Sequence, residues 1–589
     1  MITADKHFPT AADLCTRAAQ HIARGEHTQA LQIFQEVTKK LPKHIDAYIG
    51  IATLMELHGK VNHALQTLSY ALRIEPENSH LLRQITPLLA DLAPTRFNLE
   101  LEQDLLLCLN SNLLDHQQLA NTIASLICAK YQTLAVNQEL LLQLNSDTLL
   151  LQYLSRCINT HAHCEAWLSK IRQLLLANVI ATERATHFEE LICAIALTCF
   201  ANEYVFCVSD EEIQQLEQLD QDYQSKAATP KQKARLLATK GMYVPLINCI
   251  TVEQLQHVDS LDTALWQNLI EKSLLDLQEE RLLRSSIARL NENANQSNSD
   301  ISAQVKAQYE ENPYPRWQIP PAPKPTKIVN FLQQLPAIDK SKFTQQNLQV
   351  LIAGCGTGYE PIDLARTDNS LNITALDLSS SSLAYAKRMA AKLDLHHLQF
   401  VQGNILDAAQ LNKDFDLINS TGVLHHMENP LAGWNVLCSI LKPGGVMRIS
   451  LYSELARRRI VLAHQRIKEL GLQNSSEDIK KFRRDIFQQP SNSALGELAQ
   501  SDDFYSLSGC RDLLFHVQEH RFTLPQLKSA IEHLPLKLIG FDAPLWALKK
   551  FQQRHSNKID LVNLDKWHEF EVAFPDTFVG MYQLWLQKQ

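Results

Sequence analysis

The sequence is short of most features that would send it out of the cell or onto a polymer. Its twelve cysteines, scattered from Cys15 to Cys510, include no C-x-x-C pair. That spacing suits neither a zinc knuckle nor a disulfide framework and fits reduced thiols in the cytoplasm. Basic charge is scarce as well: 56 Lys and Arg against 64 Asp and Glu leave a net −8. With no Lys/Arg block, no nucleic-acid partner is expected. The strongest apolar run, "LICAIALTCFANEYVFCV" (191–208), is interrupted by Asn202 and Glu203. It reads as a buried helix, so no membrane is expected either. After Met1, "ITADKHFPTAADL" lacks the charged-then-apolar layout of a secretion signal. Glycine is absent between Gly59 and Gly241, which favours uninterrupted helices there.

What is present divides the 589 residues, too many for one core, into several domains. Gly25, Ala30, Leu31 and Pro42 recur as Gly59, Ala64, Leu65 and Pro76, each 34 residues later. Small residues at the helix turn and Pro closing the second helix resemble the tetratricopeptide repeat, and residues 1–90 are assigned to such repeats. Two units rarely stand alone, so they are expected to stack on the next helices along the chain. Residues 91–290 are Leu-rich, with apolar positions three and four apart, and read as an all-helical domain. "HAHC" (161–164) has metal-ligand residue types, but its adjacent spacing fits a polar helix surface better than a cation site. Residues 291–345 read as linker and lid. They hold the polar "LNENANQSNSDIS" (290–302) and then the aromatic and Pro-rich "VKAQYEENPYPRWQIPPAPKPTK" (305–327).

From 346 to 589 the pattern changes. "NLQVLIA", "LNITALD", "HLQFVQ", "FDLINS" and "VMRISLY" read as strands separated by helical stretches such as "SSLAYAKRMAAKL". That alternation implies a parallel sheet covered on both faces. "PLKLIGFDA" (535–543) and "TFVGMYQLWLQ" (577–587) suit an edge hairpin closing it. In such a sheet ligands sit beyond the carboxyl ends of the strands. "LIAGCGTGYE" (351–360) ends the first strand, where Gly354, Gly356 and Gly358 let the backbone turn sharply and approach a ligand. Asp377 ends the second, where a carboxylate can accept hydrogen bonds from ribose hydroxyls. These features alone fit NAD, FAD or S-adenosylmethionine.

The rest of the set discriminates. "VQGNILD" follows strand three, "FDLINSTGVLHHMENP" runs through strand four, and "LKPGG" (441–445) precedes strand five. In this order the motifs resemble the class I S-adenosylmethionine-dependent methyltransferases. The resemblance implies an α plus α/β chain: an N-terminal all-helical repeat region, then a Rossmann-like seven-stranded methyltransferase domain with an insertion at about 471–530. It further implies S-adenosylmethionine as cofactor, bound by Gly354, Cys355, Gly356, Gly358, Asp377, Leu378, Asn404 and Ile405. Ile352 and Ala353 stand where many members carry an acid facing the donor amine. "QYEENPYPRW" (308–317) is therefore expected to hold that end, with Tyr309 or Arg316 meeting the methionine carboxylate.

On the acceptor side, the resemblance offers His425, His426, Glu519 and His520 as catalytic candidates and no metal. The last two belong to "DFYSLSGCRDLLFHVQEHRFTLPQL" (503–527), which also holds Asp512 and His516. Both flanking segments, and "NEYVF" (202–206), are similar to those of a bacterial subgroup of methyltransferases fused to tetratricopeptide repeats. The expected function is methylation of a protein or peptide recruited by the repeats. One alternative is a small-molecule enzyme acting on a quinone, lipid or natural product, with the repeats for docking. The other is an inactive methyltransferase-like scaffold.

Overall fold

The computed structural model describes residues 10–131, 133–181, 188–290, 300–318, 320–342, 347–555 and 557–589. Most of the polar linker stretch lies outside these described residues. The chain opens with α1 (Ala11–Ala23), α2 (His27–Lys40), α3 (Ile45–Leu57) and α4 (Val61–Ile74). Thr10 starts α1 with a reciprocal cap: its side chain accepts the Asp13 N–H while the Asp13 carboxylate accepts the Thr10 N–H. The two helix pairs repeat at the offset of the punctuation residues. Gly25 and Gly59 make the turns at φ +77° and +71°. A Cβ at either would meet nothing within 4 Å, so left-handed backbone, not crowding, calls for glycine there. Gly50 has the opposite reason. A Cβ on it would fall 2.2 Å from the Phe34 ring, so its absence lets α2 and α3 close together.

The helical half does not stop at the linker. One core runs from Ile45 to Leu274 and continues into Ile460, Ile479, Phe482, Phe504 and Leu514. The insertion is therefore helical (Arg458–Glu469, Ser476–Phe487, Leu507–Leu514) and packs as part of the helical half. It begins before residue 471, and the chain has rejoined the sheet's own core by Leu524. Arg483 pins the seam. Its guanidinium is 1% exposed, donates to both Glu165 oxygens at 3.0 and 2.7 Å, and gives its Nε–H to the Phe504 carbonyl at 2.7 Å. The "HAHC" segment does local work: His161 Nδ1 accepts the Cys164 N–H at 3.3 Å, at the start of the helix Ala162–Ala181.

The strands are β1 (Ala288–Arg289), β2 (Gln349–Ala353), β3 (Asn372–Asp377), β4 (Gln399–Gln402), β5 (Phe415–Thr421), β6 (Leu441–Leu451), β7 (Leu536–Asp542) and β8 (Tyr582–Lys588). They form one sheet in the order β1-β4-β3-β2-β5-β6-β8-β7. All pairs are parallel except β6–β8 and β7–β8. The order reverses at β2, which places the switch point beside the glycine turn. Alternate residues of β2 enter opposite cores, Leu351 and Ala353 in one and Val350 and Ile352 in the other, as a doubly covered sheet requires.

The sheet corrects two expectations. Among the described residues it has eight strands, not seven: Ala288 pairs with Val401 and Arg289 with Gln402, so the helical half donates an edge strand. Two exposed residues carry no strand pattern, which is why the sequence concealed it. "LKPGG" also lies inside β6 instead of before it. It enters through a register shift opposite Phe415 and Leu417, with Gly444 at φ +78°. No described helix is long and apolar enough to cross a membrane.

Candidate active site

The carboxyl ends of β2 to β6 open onto a cavity of about 810 Å³. Gly354, Gly356 and Gly358 line or support one end with φ of +82°, +52° and +82°. Side chains there are excluded by contact as well. A Cβ on Gly354 would lie 2.3 Å from Val423, and one on Gly358 2.5 Å from Ala386. Asp377 braces this turn, accepting the Gly356 N–H at 2.7 Å and the Ser379 N–H at 2.9 Å. Burial raises its carboxyl above the usual range, and those two amides work against the rise. Leu378, Asn404 and Ile405 line the same end. Asn404 spends its side-chain oxygen on the Leu406 N–H, starting the 3-10 turn Ile405–Leu411.

The lid segment is a built part of this site. Glu310 caps the helix Ser380–Lys392, accepting from Ser380 N–H at 2.6 Å and Ser381 N–H at 3.1 Å, and from both hydroxyls. Burial opposes its ionisation, but these donors hold its carboxyl below the usual range. Ser379 Oγ donates to the Tyr309 carbonyl at 3.0 Å, and Trp317 Nε1 donates to the Thr357 carbonyl at 3.1 Å. Tyr309 and Tyr314 line the cavity. Arg316 is turned the other way: its guanidinium lies over Phe200 and Tyr385, 3.7 Å from Glu280, and does not line this cavity. An acid does stand near the glycine turn. Glu360, on the first turn of the helix Tyr359–Thr367, lines the cavity and accepts from Asn419 Nδ2 at 2.9 Å.

At the far end of the cavity the four acceptor-side candidates separate. His426 lines it; His425, Glu519 and His520 form the layer behind. His425 is fully buried against Tyr452, ring centroids 4.1 Å apart, and its carbonyl accepts the His520 N–H at 2.7 Å. Glu519 is ion-paired with Arg457. His426 Nδ1 lies 2.7 Å from the Gln518 carbonyl. A carbonyl only accepts, so Nδ1 carries the proton and Nε2 keeps its lone pair. Burial, with His425 and His516 beside it, holds the His426 ring well below its ordinary pKa and therefore neutral.

Next to it runs a directed hydrogen-bond chain. His516 Nδ1 accepts the Gln518 N–H at 3.2 Å, so its Nε2–H points to Tyr309 Oη at 3.2 Å. The Tyr309 hydroxyl then donates to Asp512 Oδ1 at 2.5 Å. His426, Asp512 and His516 converge closely enough to hold a cation. In this network, however, His516 Nε2 is the protonated nitrogen, which fits a hydrogen-bond cluster and not a ligand set. Sequence reasoning passed over Glu310, Tyr452, Asp503 and Glu360. Tyr452 had one available signal, since it directly follows β6 at the strand end where ligands bind.

Comparison with known proteins bears on this geometry directly. Residues 344–502 match a protein family described as a methyltransferase domain. The chain carries a methyltransferase domain. S-adenosylmethionine is the cofactor of that domain. Over 235 residues the chain is 32% identical to an uncharacterised protein of Synechococcus sp., covering 38% of this chain and 56% of that one. Over 220 residues it is 25% identical to a malonyl-[acyl-carrier protein] O-methyltransferase of Priestia megaterium, covering 37% of this chain and 71% of the other. Among solved structures, PKMT2 of Rickettsia typhi in complex with AdoHcy aligns with a TM-score of 0.33 at 18% identity. That alignment covers 41% of this chain and 49% of the other. The chain thus spans little more than half the length of the Synechococcus relative.

The residues present suit the donor. The methyltransferase domain removes side chains from the turn where a donor must approach, and keeps Asp377 beside it. Ser382 Oγ and Thr421 Oγ1 line the cavity and are buried with no protein partner among the described residues, leaving hydrogen-bonding capacity for a ligand.

Proposed function

We propose that the whole chain is an active S-adenosylmethionine-dependent methyltransferase whose acceptor is a protein or peptide recruited by the helical half. The observation that carries this reading is a second cleft, about 210 Å³, beside the main cavity. Asp115, His116, Arg156 and Thr160 of the helical half form one side of it. Tyr314, Tyr359 and Asp503 line both cleft and cavity, so the cleft leads from the helical half to the acceptor end. A reactive side chain reaching in along that path would leave its backbone against the helices. In this reading α1 to α4 are two tetratricopeptide repeats that capture the acceptor, and a cytoplasmic location is supported by the free thiols.

When bound, S-adenosylmethionine supplies an electrophilic methyl carbon. This chain's residues position the partners: Asp377 and the glycine turn hold the donor end, the Tyr309–Tyr314 segment shelters the site, and His426 Nε2 accepts a hydrogen bond that orients the acceptor. The decisive experiment incubates the full chain with methyl-labelled donor and cell lysate. Label in a discrete protein band supports a protein acceptor; label confined to extractable small molecules overturns it. That second outcome would favour a free small molecule, while a protein band that loses its label when thioesters are cleaved would favour a carrier-bound acid, the reading to which the acyl-carrier-protein methyltransferase relative points. Absence of donor binding by calorimetry would leave only a scaffold.

A further inference from the structure

The charges at the acceptor end do not balance. Five charged side chains from β6's exit and the insertion line it: Arg457, Arg459, Glu497, Asp503 and Asp512. Both arginines are engaged, Arg457 with Glu519 and Arg459 with Glu497 at 2.7 Å. Arg511, the next cation along the chain from Asp512, pairs with Glu311 at 3.1 Å. Neither Asp503 nor Asp512 has an ion-pair partner among the described residues. Each offers one oxygen to a tyrosine, Tyr314 to Asp503 Oδ1 at 2.6 Å and Tyr309 to Asp512 Oδ1 at 2.5 Å, and their second oxygens have no protein donor there. The remaining neighbours, His426 and His516, are kept uncharged chiefly by burial.

Two carboxylates sharing a sheltered wall without a countercharge are costly, because desolvation is not offset by pairing. A ligand that brings positive charge removes that cost. The same wall carries the rings of Tyr309 and Tyr314, which attract cations through their π faces, whereas the Tyr452 ring already carries the Arg457 guanidinium at 3.8 Å. We propose that the methyl acceptor is a primary or secondary amine, bound as its ammonium form between Asp503 and Asp512 beside Tyr309 and Tyr314. This rests on the methyltransferase reading above and narrows it to N-methylation. A carboxylate acceptor would meet two like charges, and a neutral hydroxyl would leave both unpaired. The ammonium first releases one proton to water in the cavity, and the resulting amine donates an N–H hydrogen bond to His426 Nε2, which orients its lone pair. The amine lone pair then forms the new N–C bond as the C–S bond breaks toward sulfur. The products are the methylated ammonium and neutral S-adenosylhomocysteine.

The donor is itself cationic, so the test must separate the two ligands. The full chain and its Asp503→Asn and Asp512→Asn variants are incubated with lysate and methyl-labelled donor, and labelled products are treated with mild alkali and then hydrolysed in acid. Label that survives alkali and is recovered on nitrogen, falling at least tenfold in either variant, supports the proposal. Label released as methanol, or recovered on oxygen, sulfur or carbon, overturns it while leaving a methyltransferase. No label with any product overturns both readings. In parallel, calorimetry measures donor and S-adenosylhomocysteine affinity, which also shows that the variants are folded. Affinities within about twofold of wild type are expected. A tenfold loss would assign these carboxylates to the donor and overturn the proposal.

Discussion

Buried charge is treated in two ways in this molecule. In the helical half two buried arginines are matched to carboxylates. Arg172, 1% exposed, donates to Glu212 at 2.9 Å and to the Cys207 carbonyl at 2.7 Å, while Glu212 also takes the Tyr243 hydroxyl at 2.8 Å. Arg483 and Glu165 close the seam to the insertion in the same manner. At the acceptor end, Asp503 and Asp512 have hydroxyl partners but no ion pair among the described residues, and the nearby Arg457 is paired with Glu519. Matched pairs position structure; a mismatch facing a cavity is reserved for something that arrives. The contrast is informative because one insertion supplies both Arg483 and the two aspartates. Its outer face ties it into the helical core while its inner face walls the site.

The largest expected effect breaks the matched side. Glu165→Gln keeps the shape but leaves Arg483 buried without its countercharge, which costs about 3–5 kcal/mol. Denaturant unfolding of the full chain should show an earlier transition, together with weaker retention of the insertion against proteolysis. Next is His426. His426→Ala should lower turnover by about 100-fold or more with donor affinity preserved, the scale on which a misplaced reacting group loses rate. Equal turnover in single-turnover kinetics would remove His426 from the reaction.

The mismatched side has its own signature in pH. Burial raises the Asp503 carboxyl from 3.8 to about 6. A raised acid binds its proton more tightly in the folded chain than in the unfolded one. Its stabilising contribution is therefore complete below pH 3.8 and is lost as pH rises through about 6. Asp503→Asn should flatten the stability profile across that window by about 1–3 kcal/mol, read as melting temperature against pH. An ammonium acceptor would reverse the sense by favouring the ionised form, so acceptor affinity should weaken below about pH 6 in wild type only.

The same contrast explains what could be read from the sequence. The glycine turn, Asp377 and the strand–helix alternation were legible because each is a local demand, of backbone angle, strand end or period. The eighth strand was not, since Ala288 and Arg289 are too few and too exposed to show alternation. The fate of the insertion was hidden for another reason. Arg483 and Glu165 lie 318 positions apart, and an amphipathic helix such as Ser476–Phe487 states which face is buried without stating against what. Arg316 shows the limit in this segment: Tyr309 and Tyr314 line the cavity, but the direction of Arg316 depended on Glu280 and Phe200 in the other half.

The smallest effect is the sharpest check on which histidine matters. His520 lies in the same run of sequence as His516, yet among the described residues its ring is hydrogen-bonded to Gln518 Nε2 alone, at 3.0 Å, and its main-chain N–H is the group that contacts the His425 carbonyl. A main-chain contact survives side-chain truncation. His520→Ala should therefore change turnover by less than about threefold, within the range of a lost neutral, half-exposed hydrogen bond. His516→Ala differs in kind, because it removes the Nε2–H aimed at Tyr309 and leaves that hydroxyl held by Asp512 alone. Its effect should fall on acceptor KM more than on kcat, since the tyrosine helps form the wall and does not transfer the proton. If His520→Ala proved as damaging as His426→Ala, the layer behind the cavity would have to move into it during turnover, and the division between wall and support drawn from this geometry would fail.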